Sequence, residues 1–242
     1  ITIYNVLKGI VADGYLKGST VFLDISGDGV FNQRTEPFTT SGAGGTFNLA
    51  IRAGQTGILI AQNGVDISTN RPFAGILKAA PNATVINTLT TIIETLVSSS
   101  ELNRNEASTK FAIVLGIPEA EATSIDFSNF DPLAVAMENE ISSDTLENAE
   151  TLQKAAAQIG NLMAVTVDIG GDLGSLNIEL ANQVNNLAEG VVLQETLGRP
   201  EMIEELLMST EPAVNSQAIE ASAVDAAASN ADILATDGAG LS

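Results

Sequence analysis

The sequence contains no histidine, no cysteine and no tryptophan, and only ten lysines and arginines among its 242 residues. Each absence removes a class of chemistry. Without His or Cys there is no Ser-His-Asp triad, no Cys-His dyad, and no zinc, haem or iron–sulfur centre of the usual ligand sets. Aromatic residues make up 4% of the chain, so the core has to be built from Ala, Val, Ile and Leu. No apolar run reaches the roughly 18 residues needed to span a bilayer as a helix, so membrane insertion is not expected. The few bases stand against 30 acids, for a formal net charge of -20. Such a charge argues against nucleic acid and anionic membrane surfaces as partners. It is compatible with hard cations, whose ligands are carboxylate and carbonyl oxygens. The chain starts at Ile1 rather than Met, which fits a processed mature chain or a piece of a longer one.

The charge is unevenly distributed. Residues 1–80 hold five acids and six bases, whereas residues 81–242 hold 25 acids and four bases. The hydrophobic pattern changes at the same place. Before residue 80, short β-type runs occur at Val21–Leu23, Phe47–Ile51 and Gly57–Ala61. Turn formers separate them, among them Ser26-Gly27-Asp28-Gly29 and Gly42-Ala43-Gly44-Gly45. That spacing predicts a sandwich or small barrel, with the second glycine cluster as a hairpin turn before the Phe47 strand.

After residue 80 the period becomes helical. Val85, Ile86, Leu89, Ile92, Ile93, Leu96 and Val97 form one stripe, predicting a first helix. A second is expected from Asn105, as its cap, to Leu115, and a third from Asp131 with Pro132 in its first turn. A fourth is expected from Asp144-Thr145-Leu146-Glu147, a capping-box pattern with Asp in the cap position, to about Val167. Others are expected over 175–188, 200–209 and 216–235.

One segment carries recognisable chemistry. In Asp24-Ile25-Ser26-Gly27-Asp28-Gly29-Val30-Phe31-Asn32-Gln33-Arg34-Thr35-Glu36, oxygen side chains fall at loop positions 1, 3, 5 and 9, with Gly at 6. This is the pattern of a calcium loop. Alternate residues of a tight loop point inward, so Asp24, Ser26 and Asp28 can converge on one ion. The Val30 carbonyl can add a backbone oxygen, and Asn32 can bind directly or through water. Position 12, where a bidentate acid belongs, is Thr35, and Glu36 follows one residue late. Glu36 either reaches back or leaves the site open. The plainer alternative is a metal-free turn rich in Asp and Ser.

The surroundings of this loop carry a resemblance. Asp13-Gly14-Tyr15-Leu16-Lys17-Gly18-Ser19-Thr20-Val21-Phe22-Leu23-Asp24, then the loop, Glu36-Pro37, Thr39-Thr40 and Gly45-Thr46-Phe47 occur in order. Over about residues 8–60 this resembles the prealbumin-like β-sandwich modules of large bacterial surface proteins, including the B-type repeats of serine–aspartate-repeat adhesins. In those modules Asn residues commonly stand where Ser26 and Asp28 are, and Asp where Asn32 is. Residues 81–133 resemble a helical segment that follows such modules in marine bacterial surface proteins. The change of charge and period at residue 80 gives an α+β chain, a β-sandwich over 1–80 and then an all-α helical bundle over 81–242, and the resemblance implies that the sandwich is Ig-like or prealbumin-like, calcium-stiffened and on a cell surface.

The functional expectation is a non-catalytic extracellular structural or adhesive protein, a calcium-stabilised unit of a surface layer, matrix fibre or filament. Self-association or contact with neighbouring domains of a larger surface protein is expected. The alternative is an adhesin tip that recognises glycan or protein. Ile1, Ile3 and Val6 lie in an alternating apolar stretch that can pair with an exposed sheet edge of a neighbour, or simply form the first strand of its own sheet. Asp126, Asp131 and Glu138 lie near Phe127 and Phe130, but acids are so frequent there that no pair stands out as catalytic.

Overall fold

A computed structural model describes residues 3–12, 14–136 and 142–236. It is a mixed α and β protein with the strands first. β1 (Tyr4–Ala12), β2 (Leu16–Lys17), β3 (Thr20–Asp24), β4 (Phe38–Thr40), β5 (Thr46–Arg52), β6 (Ile58–Gln62), β7 (Val65–Asp66), β8 (Ile76–Ala79) and β9 (Val85–Asn87) precede the helices. These are α1 (Thr88–Ser99), α2 (Arg104–Val114), α3 (Glu119–Ala122), α4 (Pro132–Ala136), α5 (Ser143–Asp168), α6 (Leu173–Asn186), α7 (Leu193–Thr196), α8 (Pro200–Ser209) and α9 (Ser216–Ala235). No helix among the described residues is long and apolar enough to cross a membrane.

The chain divides into two compact units, Ile1–Glu94 with Phe127–Asn129, and Thr95–Asp126 with Phe130–Ser242. In the first, β5-β1-β9 form one sheet, β4-β3-β6-β8 a second and β2-β7 a third. Alternation along β5 buries Phe47 and Leu49 and exposes Thr46, Asn48 and Ala50. One core takes Val11, Phe47, Leu49 and Ile86 from the three-stranded sheet and Val21, Leu23, Leu59, Ala61 and Leu77 from the four-stranded one. β3 is buried on its other side as well, where Phe22 lies against Phe31 of the following loop.

Several expectations are corrected here. The stretch from Val85 does not begin in a helix. Val85–Asn87 is β9, paired in parallel with Ile10–Ala12, and α1 starts only at Thr88. The β-branched residues at 84–86 have strand donors and acceptors waiting: Ile10 N–H donates to Thr84 O at 2.8 Å, and Val85 N–H to Ser128 O at 3.0 Å. The region from 81 onward is therefore not all-α. The glycines at 42–45 are not a hairpin turn either. A 3-10 turn at Ala43–Gly45 leads from β4, in one sheet, to β5, in another.

Two helix starts lie upstream of the expected ones. Asn103, not Asn105, caps α2, and with Glu106 it completes a capping box. Ser142, not Asp144, caps α5 and accepts from Thr145 N–H. Asp131 does cap α4, accepting from Leu133 N–H at 3.1 Å. Glu138 lies outside the described residues.

The second unit holds a buried polar seam among α5, α7 and α9. Gln158, fully buried, donates from Nε2 to Gln194 O at 3.2 Å and Asn230 O at 3.0 Å. Asn230, also fully buried, donates to Leu197 O at 2.9 Å and accepts from Asn161 Nδ2 at 2.8 Å. Removing the Asn230 amide leaves the buried Leu197 carbonyl without its donor and takes one acceptor from the half-buried Asn161 amide. Asn230→Ala is therefore expected to destabilise by about 2 kcal/mol, read from urea unfolding followed by the helical circular-dichroism signal.

Candidate metal centre

The site begins where β3 ends. Asp24 is the last residue of that strand, pairs with Ile58 of β6, and is 2% exposed. The chain then turns sharply, with Gly27 at φ +74° and Gly29 at φ +72°. Both glycines occupy the left-handed region that disfavours side chains, and both turn their N–H groups back onto Asp24. Asp24 Oδ1 accepts from Gly27 N–H at 2.8 Å and Ser26 Oγ at 3.1 Å, and Oδ2 accepts from Gly29 N–H at 2.9 Å. This is a carboxylate held in place by its own loop.

The far end of the loop supplies Glu36, 4% exposed. Its Oε2 accepts from Asn32 N–H at 2.8 Å and its Oε1 from Ser26 Oγ at 3.2 Å. The extra residue before Glu36 is absorbed by a turn: Asn32 O accepts from both Thr35 N–H at 3.1 Å and Glu36 N–H at 3.0 Å. That tightening brings the chain back on itself, and Glu36 reaches the same place as Asp24. One carboxylate oxygen each from Asp24, Asp28 and Glu36 lie within 4.8 Å of one another. Asp28 is exposed; the Val30 N–H, and after it the Ser26 hydroxyl, hold its carboxyl below the ordinary value of 3.8.

The other expected ligands have these positions. Ser26 bridges Asp24 and Glu36 through its hydroxyl. Val30, 66% exposed, gives its N–H to Asp28 Oδ1 at 2.9 Å. Asn32 gives its N–H to Glu36 and accepts Arg34 N–H on Oδ1 at 3.1 Å. At the N-terminal stretch, Ile3 and Val6 are 65% and 58% exposed, and Val6 lies on β1 opposite Ala50 of the same chain. Ile1 lies outside the described residues.

Sequence reasoning did not find the anchor of this loop, Phe31. Its ring centroid lies 5.0 Å from that of Phe22 on β3 and 5.0 Å from that of Phe38 on β4. Tilted and edge-on aromatic pairs of this kind add to the area they bury. The signal in the sequence was a lone aromatic inside a loop rich in polar residues and glycine.

Chemically, three carboxylates this close, two of them buried, form a charge arrangement that favours a cation. The donors are all oxygen, which suits a hard ion. The cluster could hold a metal ion. Comparison with protein-family models, with curated proteins and with solved structures finds no match to this chain.

Proposed function

We propose that this chain is a non-catalytic extracellular structural or adhesive protein, a calcium-stabilised building block of a surface layer, matrix fibre or filament. In this reading the strands form a prealbumin-like β-sandwich module and the helices that follow form a bundle. The observation that carries it is the convergence of Asp24, Asp28 and Glu36 around one loop. Two sheets contributing to a single core support the sandwich. Calcium suits the donor set: it takes roughly six to eight oxygens, carboxylates and backbone carbonyls among them, in a flexible loop geometry, whereas magnesium demands a stricter octahedron and keeps more of its waters. Ser26 and the loop carbonyls complete the oxygen set, and Asn32 can add a ligand through water.

Calcium would act by fixing a 13-residue loop against β3 and β4. It would bind the folded chain and not the unfolded one, so it raises stability by mass action. At a hundredfold excess over its dissociation constant the gain is about 2.7 kcal/mol, or about 10 °C in the melting of a unit of this size. EDTA is expected to remove that increment and calcium to restore it, with magnesium less effective, in calorimetry of the full chain. Electron microscopy of the same samples reports on assembly. Melting and assembly both indifferent to EDTA and to added calcium would overturn the reading.

A further inference from the structure

The outward face of β1 and β5 joins exposed apolar side chains to bases. Register places Tyr4 opposite Arg52, Val6 opposite Ala50 and Lys8 opposite Asn48. Directly opposed residues share a face, and all six of these are exposed. The other face of the same strands supplies Leu7, Val11, Phe47 and Leu49 to the core. Tyr4 and Val6 are 59% and 58% exposed. Neither β1 nor β5 contains an acid. Lys8 and Arg52 form no ion pair among the described residues, in a protein that carries three acids for every base. The result is an apolar patch flanked by two cations that have no acidic partner among the described residues.

The two units differ sharply in charge. The first has six acids and six bases, and the second 24 acids and four bases. The helical unit also presents the matching chemistry. On α8, Glu201, Glu205 and Met208 follow one another at helical spacing and all are exposed, Met208 at 54%. Both faces join exposed apolar side chains to charge, and the charges are opposite in sign.

We propose that the Tyr4–Val6–Lys8–Arg52 face docks the α8 face of a second copy of this chain. The proposal rests on the self-association reading above and supplies its surface. The two faces are different parts of the molecule, one in each compact unit. Lys8 and Arg52 would meet Glu201 and Glu205, while Val6 and Tyr4 cover Met208.

The test uses two full-length variants and their mixture in calcium-containing buffer at moderate salt, followed by sedimentation velocity. One variant carries Lys8→Glu with Arg52→Glu; the other carries Glu201→Lys with Glu205→Lys. Each alone sets like charge against like and is expected to associate at least about tenfold more weakly than the unaltered chain. Mixed in equal amounts, each variant's reversed face meets the other's reversed helix, and its unaltered helix meets the other's unaltered face. Association is then expected to return. That recovery also shows that both variants are folded, because it needs intact surfaces. Variants that associate as well as the unaltered chain would overturn this face and leave self-association standing. Weak variants whose mixture stays weak would overturn the pairing with α8. An unaltered chain that stays monomeric up to roughly millimolar concentration, beyond which a contact is worth less than about 4 kcal/mol, would overturn the self-association reading itself.

Discussion

Asp24→Ala is expected to abolish the response of melting to calcium and to destabilise the metal-free protein as well. The two effects have separate causes. The carboxylate is buried and accepts two full hydrogen bonds, from the N–H groups of Gly27 and Gly29, and a share of the single Ser26 hydroxyl hydrogen, which Glu36 also draws on. Hydrogen bonds to a charged acceptor contribute about 1.5–3 kcal/mol each. Opposing this, Asp24 and Glu36 are like charges with oxygens within 4.8 Å of each other. At an effective dielectric constant near 20 their repulsion is about 3 kcal/mol, and alanine relieves it. Asp28 adds little to the repulsion because it is exposed. The hydrogen bonds win, and the net loss without metal is about 2 kcal/mol.

Asp24→Asn separates the two roles. The amide keeps the shape and one carbonyl oxygen, loses the accepting oxygen toward one side, and removes the repulsion. Its metal-free stability should stay within about 1 kcal/mol of the unaltered chain, while its calcium response is lost. Calorimetry with and without calcium distinguishes these outcomes. An Asp24→Asn chain that still melts higher in calcium would place the ion elsewhere.

Much of this site was legible in the sequence because its spacing obeys a local rule. Asp24, Ser26, Asp28 and Gly29 lie close together, and a tight loop leaves few ways to arrange them. Glu36 was harder to place, since whether it reaches back depends on the turn closed by the Asn32 carbonyl, and nothing in residue type announces that turn. Phe31 depends on Phe22 and Phe38, which the sheet brings close, so its role is a property of the fold. The strands show the same division. β3, β5 and β6 carry their own β-type pattern, whereas β9 is a strand because Ile10–Ala12 offers it a partner 75 residues earlier. On periodicity alone, Val85 and Ile86 fit the helix that follows equally well. In the helical unit, Gln158 and Asn230 belong to residue types that usually face water, and only the carbonyls of Gln194 and Leu197 make their burial intelligible.

A glycine outside the loop is expected to control the site from below. Gly57 immediately precedes β6, and its neighbour Ile58 pairs with Asp24. A β-carbon added at Gly57 would collide with the Asp24 carbonyl oxygen and lie 2.7 Å from the Asp24 carbonyl carbon and 3.1 Å from Ile25 N. These are backbone atoms, so no side-chain rotation makes room. The start of β6 must move away from the end of β3, at the point where the acidic loop begins. Gly57→Ala is therefore expected to destabilise by about 3 kcal/mol, at the upper end for an overpacked site. Because the displaced atoms carry Asp24, calcium affinity should also fall about tenfold, or 1.4 kcal/mol, although every ligand is still present. Gly42→Ala is the matched control: its backbone is extended, with φ -86°, and the nearest atoms to an added β-carbon are 3.7 Å away. There the loss of unfolded-state freedom stabilises by up to about 1 kcal/mol, and calcium affinity should not change. Isothermal titration with calcium, paired with urea unfolding, reads both quantities. If Gly57→Ala lost stability but bound calcium as before, the geometry of the ligands would be set by the loop alone. A parallel loss would show that the pairing of β3 with β6 positions the first ligand.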